Sequence, residues 1–296
     1  MIRMRSAVPA LLAVFATAVL SACTGPAPGV AVTGAADTTP ATPARPDHVV
    51  IVMLENKDEG DALREGHYLA SLARSGASLT DMHAETHPSQ PNYVALFSGD
   101  THGVTDDSCP HTSDAPNLAG ELVDAGYTFA GYSEDLPEPG YTGCEHDGYA
   151  RKHSPWTNFS SVPASANQPL DAMPTDYSTL PTVSFVIPNL CHDMHDCSIA
   201  EGDAWLRDNL APYATWARTH NSLLLVSFDE SESKHDSDNH IATVAVGERV
   251  SPGPVTERAD HYGLLRTLED LYGLPALGHS ADAAAIPALW SASPAG

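Results

Sequence analysis

A chain of 296 residues, 42% of them hydrophobic, is long enough for one large α/β domain and apolar enough for a buried core. Its 38 Asp and Glu against 14 Lys and Arg give a formal charge of −24. Such a surface repels nucleic acid and anionic lipid headgroups, which argues against duplex binding and against a polybasic membrane patch.

Residues 1–22 read as an export leader, with Arg3 and Arg5 ahead of an apolar run too short to span a bilayer comfortably. The run closes in Leu20-Ser21-Ala22-Cys23, which looks like a lipobox, where cleavage leaves Cys23 as a lipidated N-terminus. An ordinary leader followed by a chance Cys is the alternative. Lipid on Cys23 would anchor the protein at the outer face of the cytoplasmic membrane, in the cell envelope or outside the cell, with no other membrane contact. Residues 23–46 are Pro, Ala, Thr and Gly without periodicity, the composition of a disordered tether. A single domain is expected over 47–291.

That domain opens on His48–Leu54, a continuous β-branched and apolar run that marks a strand buried on both faces. Tyr68, Leu69 and Leu72 follow at helical spacing, then a strand over 77–82. Helices are predicted at 91–97 and 117–125, closed by Gly99 and Gly126. Strands are predicted at 127–132, 182–187, Ser222–Phe228 and 241–246, and helices at 203–218 and 262–272. Residues 133–180, rich in Pro, Gly, Ser and Asp, read as a long insertion near the site. Strands alternating with helices predict an α/β fold, a mostly parallel central sheet covered by helices on both faces.

Such sheets carry their chemistry beyond the carboxyl ends of the strands. Two strands here run straight into oxygen-bearing side chains: the first into Glu55 and Asn56, Ser222–Phe228 into Asp229 and Glu230. Either pair alone reads as a helix cap. Together, if the strands are neighbours, crowded carboxylates call for a hard divalent cation, with Ca, Mg or Mn favoured over Zn by all-oxygen ligation.

In His87-Pro88-Ser89-Gln90-Pro91-Asn92-Tyr93, Ser89 falls at or near the start of a helix, where backbone amides and the dipole favour a phosphoryl oxygen. A cation lowers the pKa of such a hydroxyl and makes it a nucleophile; the alternative is that Ser89 only caps the helix. Arg151-Lys152-His153 concentrates basic groups in an acidic chain, so Lys152 and His153 are candidate phosphate contacts, or else a solvated turn. The segment 188–197 places Asp193 and His195 between Cys191 and Cys197, a small loop suited to hold a catalytic pair. His240 and His261 precede ordered elements, and His261 is a further candidate for substrate binding. With Cys23 set aside, four cysteines in an oxidising compartment suggest two disulfides. Sequence does not fix their pairing; Cys109–Cys144 with Cys191–Cys197 is the expected arrangement, and without a CxxC spacing a thiolate metal site is disfavoured.

These motifs resemble the phosphoesterase family of bacterial acid phosphatases and phospholipase-C-type enzymes, within the alkaline phosphatase superfamily. The resemblance covers roughly 47–275 and rests on HVVIVMLEN, HPSQPNYVALFSGD, Asp193-Met194-His195 and LLLVSFDE, with DDSCPH, YARKHSPW and HYGLLRTLEDLYGLP beside them. Closest in appearance are secreted actinobacterial acid phosphatases that act on phosphoinositides, phosphatidylinositol 3-phosphate among them. The resemblance implies an alkaline-phosphatase-like fold, a monomer, and a metal held by Glu55, Asn56, Ser89, Asp229 and Glu230, with Ser89 also the nucleophile. It implies a phosphate-ester substrate, a phosphoserine intermediate, and a proton from His195 to the leaving alcohol.

A phospholipase-C-type phosphodiesterase would share this metal site and nucleophile. A sulfatase is disfavoured because the Ser89-Gln90-Pro91 start lacks the Arg that should follow. A calcium-stabilised, non-catalytic surface lipoprotein would keep the acidic cluster and have no use for Ser89.

Overall fold

The computed structural model describes residues 45–290 apart from 234, 236 and 237. The leader, Cys23 and all but the last two residues of the 23–46 tether lie outside the described residues.

In chain order the strands are β1 (His48–Leu54), β2 (Ala77–Leu79), β3 (Met82–His83), β4 (Phe129–Ser133), β5 (Glu145–His146), β6 (Tyr149–Ala150), β7 (Asn167–Pro169), β8 (Val183–Ile187), β9 (Ser222–Phe228), β10 (Thr243–Gly247), β11 (Gly253–Val255) and β12 (Ala259–Asp260). The helices are α1 (Glu59–Glu65), α2 (His67–Ser75), α3 (Ser89–Ser98), α4 (Leu118–Asp124), α5 (Ile199–Ala217) and α6 (His261–Tyr272).

Eight strands form one sheet in the order β11-β2-β10-β9-β1-β8-β4-β7. Only β10 runs antiparallel to its neighbours; the other pairings are parallel. The runs in β1, β8 and β9 are buried almost end to end, as strands covered on both faces must be. Helices α1, α2 and α5 pack together as one layer, and α3, α4 and α6 as the other. The α/β class and the mostly parallel sheet thus stand as expected, and among the described residues no helix is long and apolar enough to cross a membrane.

Several boundaries moved for local reasons. The strand expected over 77–82 breaks at the Thr80-Asp81 turn into β2 and β3. Helix α5 begins four residues before the predicted 203, because Ser198 and Glu201 form a reciprocal capping box. Helix α3 begins at Ser89 rather than at Pro91, with Pro88 as its cap residue. The insertion is not one loop: β5 and β6 pair, β7 joins the sheet edge, and two 3-10 turns, Arg151–His153 and Pro155–Asn158, lead back toward the strand ends.

Candidate active site

Strands β1 and β9 are direct neighbours in register, Leu54 opposite Phe228, so their carboxyl ends emerge side by side. The backbone continues the pairing one step further, with Asp229 N–H donating to the Leu54 carbonyl at 3.0 Å. Asn56 N–H then donates to Asp229 Oδ1, also at 3.0 Å. Asn56 adopts a left-handed backbone at φ 39°, a conformation Asn tolerates better than most side chains. The turn swings its amide toward β9. From the far side, Glu55 N–H donates to the Asp193 carbonyl at 2.8 Å, which draws in the loop after β8.

Ser89, the first residue of α3, places its hydroxyl among these groups. Its Oγ lies 2.9 Å from Glu55 Oε2, 3.2 Å from Asn56 Oδ1 and 3.3 Å from Glu230 Oε1. The helix has no side-chain cap bond, so Ser89 is not acting as a cap. One hydroxyl proton serves one acceptor at a time, so the Ser89 hydroxyl alone cannot satisfy all three oxygens. Among the described residues, Asp229 Oδ2 is buried with no hydrogen-bond partner. Burial pushes the Glu55 carboxyl well above the usual carboxylate range, and the charges of Asp229 and Asp193 push it further. Asp229 is raised likewise, by burial first and then by Glu230. Surplus oxygens, surplus negative charge and little water form the donor set of a hard cation. The residues therefore fit the divalent metal expected for them.

The histidines are placed less simply. His153 is 1% exposed and stacks on Tyr93 with ring centroids 5.1 Å apart. Its Nε2 lies 3.1 Å from Glu55 Oε1 and its Nδ1 lies 3.3 Å from Asp193 Oδ2. Burial lowers its pKa, against the pull of the Asp193 carboxylate. Donor atoms of Glu55, His153 and Asp193 all fall within 4.8 Å of one another, a second way in which this region offers metal ligands. Expected beside Lys152 as a phosphate contact, His153 instead lies beneath the carboxylates, closed to solvent. Asp193 is fully buried, and its Oδ1 accepts the backbone N–H of His195 at 2.8 Å, not the ring. The His195 ring is about one-third exposed and pairs with Asp196 at 2.7 Å, so the Asp193 side chain meets His195 at its backbone and not at its ring. The loop holding them is closed by Cys191–Cys197, and Cys109 pairs with Cys144, the expected disulfides. A Cβ on Gly202 would stand 2.4 Å from Met194 Cγ, so the helix can approach the loop this closely only without a side chain there.

His261 opens α6 fully buried, and its Nε2 donates to the Asp229 carbonyl at 2.8 Å. Its backbone N–H goes to Glu85, whose carboxyl is pushed up to about 7 by burial and by Asp260. His240 stacks on His83 with centroids 5.1 Å apart. Lys152 pairs with Asp107 at 2.9 Å; burial works against its charge, but Asp107, Glu55 and Asp229 hold its pKa above the ordinary lysine value.

Two residues to which the sequence had assigned no role belong here. His87 Nδ1 bonds Glu230 Oε2, and the Tyr93 hydroxyl donates to Glu55 Oε1. Tyr93 carries the clearer signal: it lies four residues after Ser89, one helical turn, and so shares the face that meets Glu55.

A family model described as the Phosphoesterase family matches residues 62–275. A phosphatidylinositol-3-phosphatase of Mycobacterium tuberculosis is 47% identical over 286 residues, which span 95% of this chain and 93% of that one. A phosphate-repressible acid phosphatase of Penicillium chrysogenum is 33% identical over 78% of this chain, which spans only 60% of the fungal protein. Among solved structures, a protein of the alkaline phosphatase superfamily from Vibrio parahaemolyticus superimposes with a TM-score of 0.52 at 13% identity, over 86% of this chain and 72% of that one.

Proposed function

The chain belongs to the Phosphoesterase family, and from that premise we propose that it is a metal-dependent phosphatase using Ser89 as nucleophile on phosphate monoesters, phosphatidylinositol 3-phosphate among them. Hydrolysis of phosphoric monoesters is the activity that its relatives' names share. The observation carrying the reading is a single hydroxyl within 3.3 Å of side-chain oxygens from the ends of two adjacent strands.

A divalent cation held by Glu55, Asn56, Ser89, Asp229 and Glu230, with Ca, Mg or Mn favoured over Zn, would supply charge neutralisation at the phosphoryl oxygens and a lower pKa for the Ser89 hydroxyl. Ser89 Oγ attacks phosphorus in line. Its proton has Glu55 Oε2 as acceptor at 2.9 Å. The phosphorus–oxygen bond to the alcohol breaks as the Oγ–phosphorus bond forms, and the leaving oxygen takes a proton from His195, a histidine of the site that remains open to solvent. Water then gives a proton to His195 and displaces Ser89 from the phosphoserine, and Ser89 takes back its proton from Glu55 as phosphate leaves. Tyr93 and His153, both against Glu55 Oε1, keep that carboxylate facing Ser89. Monoester hydrolysis is so slow unaided that enzymes reach accelerations of up to ~10²¹-fold, so position and charge must supply most of the effect.

The test is phosphate release by wild type and Ser89→Ala with divalent metal present. The substitution should lower turnover by about a thousandfold or more. Hydrolysis preserved in Ser89→Ala would assign the nucleophile elsewhere.

A further inference from the structure

We propose that Asp107 is a positioning residue for this reaction: its carboxylate bridges the backbone amide that follows the nucleophile and the ammonium of Lys152, and so holds Lys152 to receive the substrate's phosphoryl group. The inference rests on Ser89 as nucleophile.

Asp107 Oδ1 accepts Gln90 N–H at 3.0 Å, and Oδ2 accepts from Lys152 Nζ at 2.9 Å. Gln90 is the second residue of α3, and its N–H has no partner within the helix, so a carboxylate there meets both a free donor and the positive end of the dipole. The side chains of Asp107 and Lys152 are only 32% and 18% exposed, which separates this pair from ordinary surface ion pairs. Among the described residues Lys152 has one hydrogen bond, the one to Asp107, and an ammonium has three donors. Two remain for ligand oxygens. Neighbouring Arg151 is spent, donating to the carbonyls of Thr142 at 2.7 Å and Thr157 at 2.8 Å.

Covalent structure keeps the bridge together. Asp107 lies two residues before Cys109, whose disulfide partner Cys144 gives its carbonyl to Arg151 N–H at 2.9 Å. The segment carrying the carboxylate and the segment carrying the ammonium are therefore stapled to each other. In a chain with a net charge of −24, a cation fixed this way is what an anionic substrate needs.

The experiment measures KM for a small soluble monoester and Ki for inorganic phosphate, on the metal-loaded full chain. It compares wild type, Lys152→Ala, the isosteric Asp107→Asn, and the double variant. Ki does not depend on the fraction folded, so partial misfolding does not obscure it. Each single variant should raise KM and Ki by about tenfold, the scale of one charge-assisted contact. The double variant should match Lys152→Ala within about twofold. An unchanged or lower Ki in Asp107→Asn, or effects that multiply in the double variant, would overturn the proposal. An active Ser89→Ala control would sink the nucleophile reading itself; an inactive control with independent Asp107 and Lys152 effects sinks only this inference.

Discussion

Carboxylates follow strand ends at two places in this sheet, after both β1 and β9 and after β4 beside β8, and only the first place has the makings of a site. At β1 and β9, Glu55, Asp229 and Glu230 crowd around Ser89, and Asp229 Oδ2 is buried with no hydrogen-bond partner among the described residues. At β4 and β8, Glu134 follows directly on the strand end as well, yet donors surround it. Asn189 N–H stands 3.0 Å from Oε2, His192 Nδ1 is 2.9 Å from the same oxygen, and Trp205 Nε1 lies 3.0 Å from Oε1. A carboxylate at a strand end is thus not in itself a functional signal. What separates the two places is whether several carboxylates crowd around one hydroxyl or a single carboxylate sits among its own donors.

Exchanging one oxygen for an amide at each place should have opposite consequences. Asp229→Asn should cut phosphate release by about a hundredfold or more while leaving the metal-free protein as stable or more stable, by on the order of 1 kcal/mol, because it removes repulsion. Glu134→Gln should cost about 1–3 kcal/mol, since an amide supplies a weaker acceptor to three donors that are partly buried and brings unwanted hydrogens. Phosphate-release rates and chemical denaturation of chelated protein measure both. Loss of stability at Asp229→Asn comparable to that at Glu134→Gln would erase the distinction.

The smaller effect is in the pH dependence. Glu55 and Asp229 have folded-state pKa values raised above their ordinary 4.5 and 3.8, so the folded state binds more protons than the unfolded chain once pH exceeds those values. Stability of the metal-free protein should therefore fall as pH rises from about 4 through the raised values. Glu85, pushed up to about 7 from 4.5, adds to the fall within that interval. Melting temperatures of chelated protein should decline between about pH 5 and about pH 8, and less steeply in Glu55→Gln. An equal slope in the variant would mean that Glu55 is not among the repelling groups.

Much of this contrast was legible in the sequence, and the reason is periodicity. His48–Leu54 and Ser222–Phe228 are unbroken apolar runs, so the strands and the oxygen residues just past them stand out. That β1 and β9 are neighbours is a matter of strand order, which no local pattern encodes. The satisfaction of Glu134 was equally hidden, because its donors come from residues 189, 192 and 205. The insertion concealed His153, whose burial depends on how two 3-10 turns lead back under Glu55. Proximity in the chain pairs His195 with Asp193, but the fold does not. Met194 between them sits at φ 82°, and that turn sends the ring to Asp196 while the main chain meets Asp193.

The central claim is that the crowded carboxylate oxygens around Ser89 are there to bind a cation. Calorimetric titration of Ca, Mg and Mn into chelator-stripped wild type and Asp229→Asn tests it most directly. The account predicts binding of at least one of these ions by the wild type and its loss, or a drop in affinity of about a hundredfold or more, in the variant. A wild type that binds none of them, or a variant that binds as tightly, would contradict it.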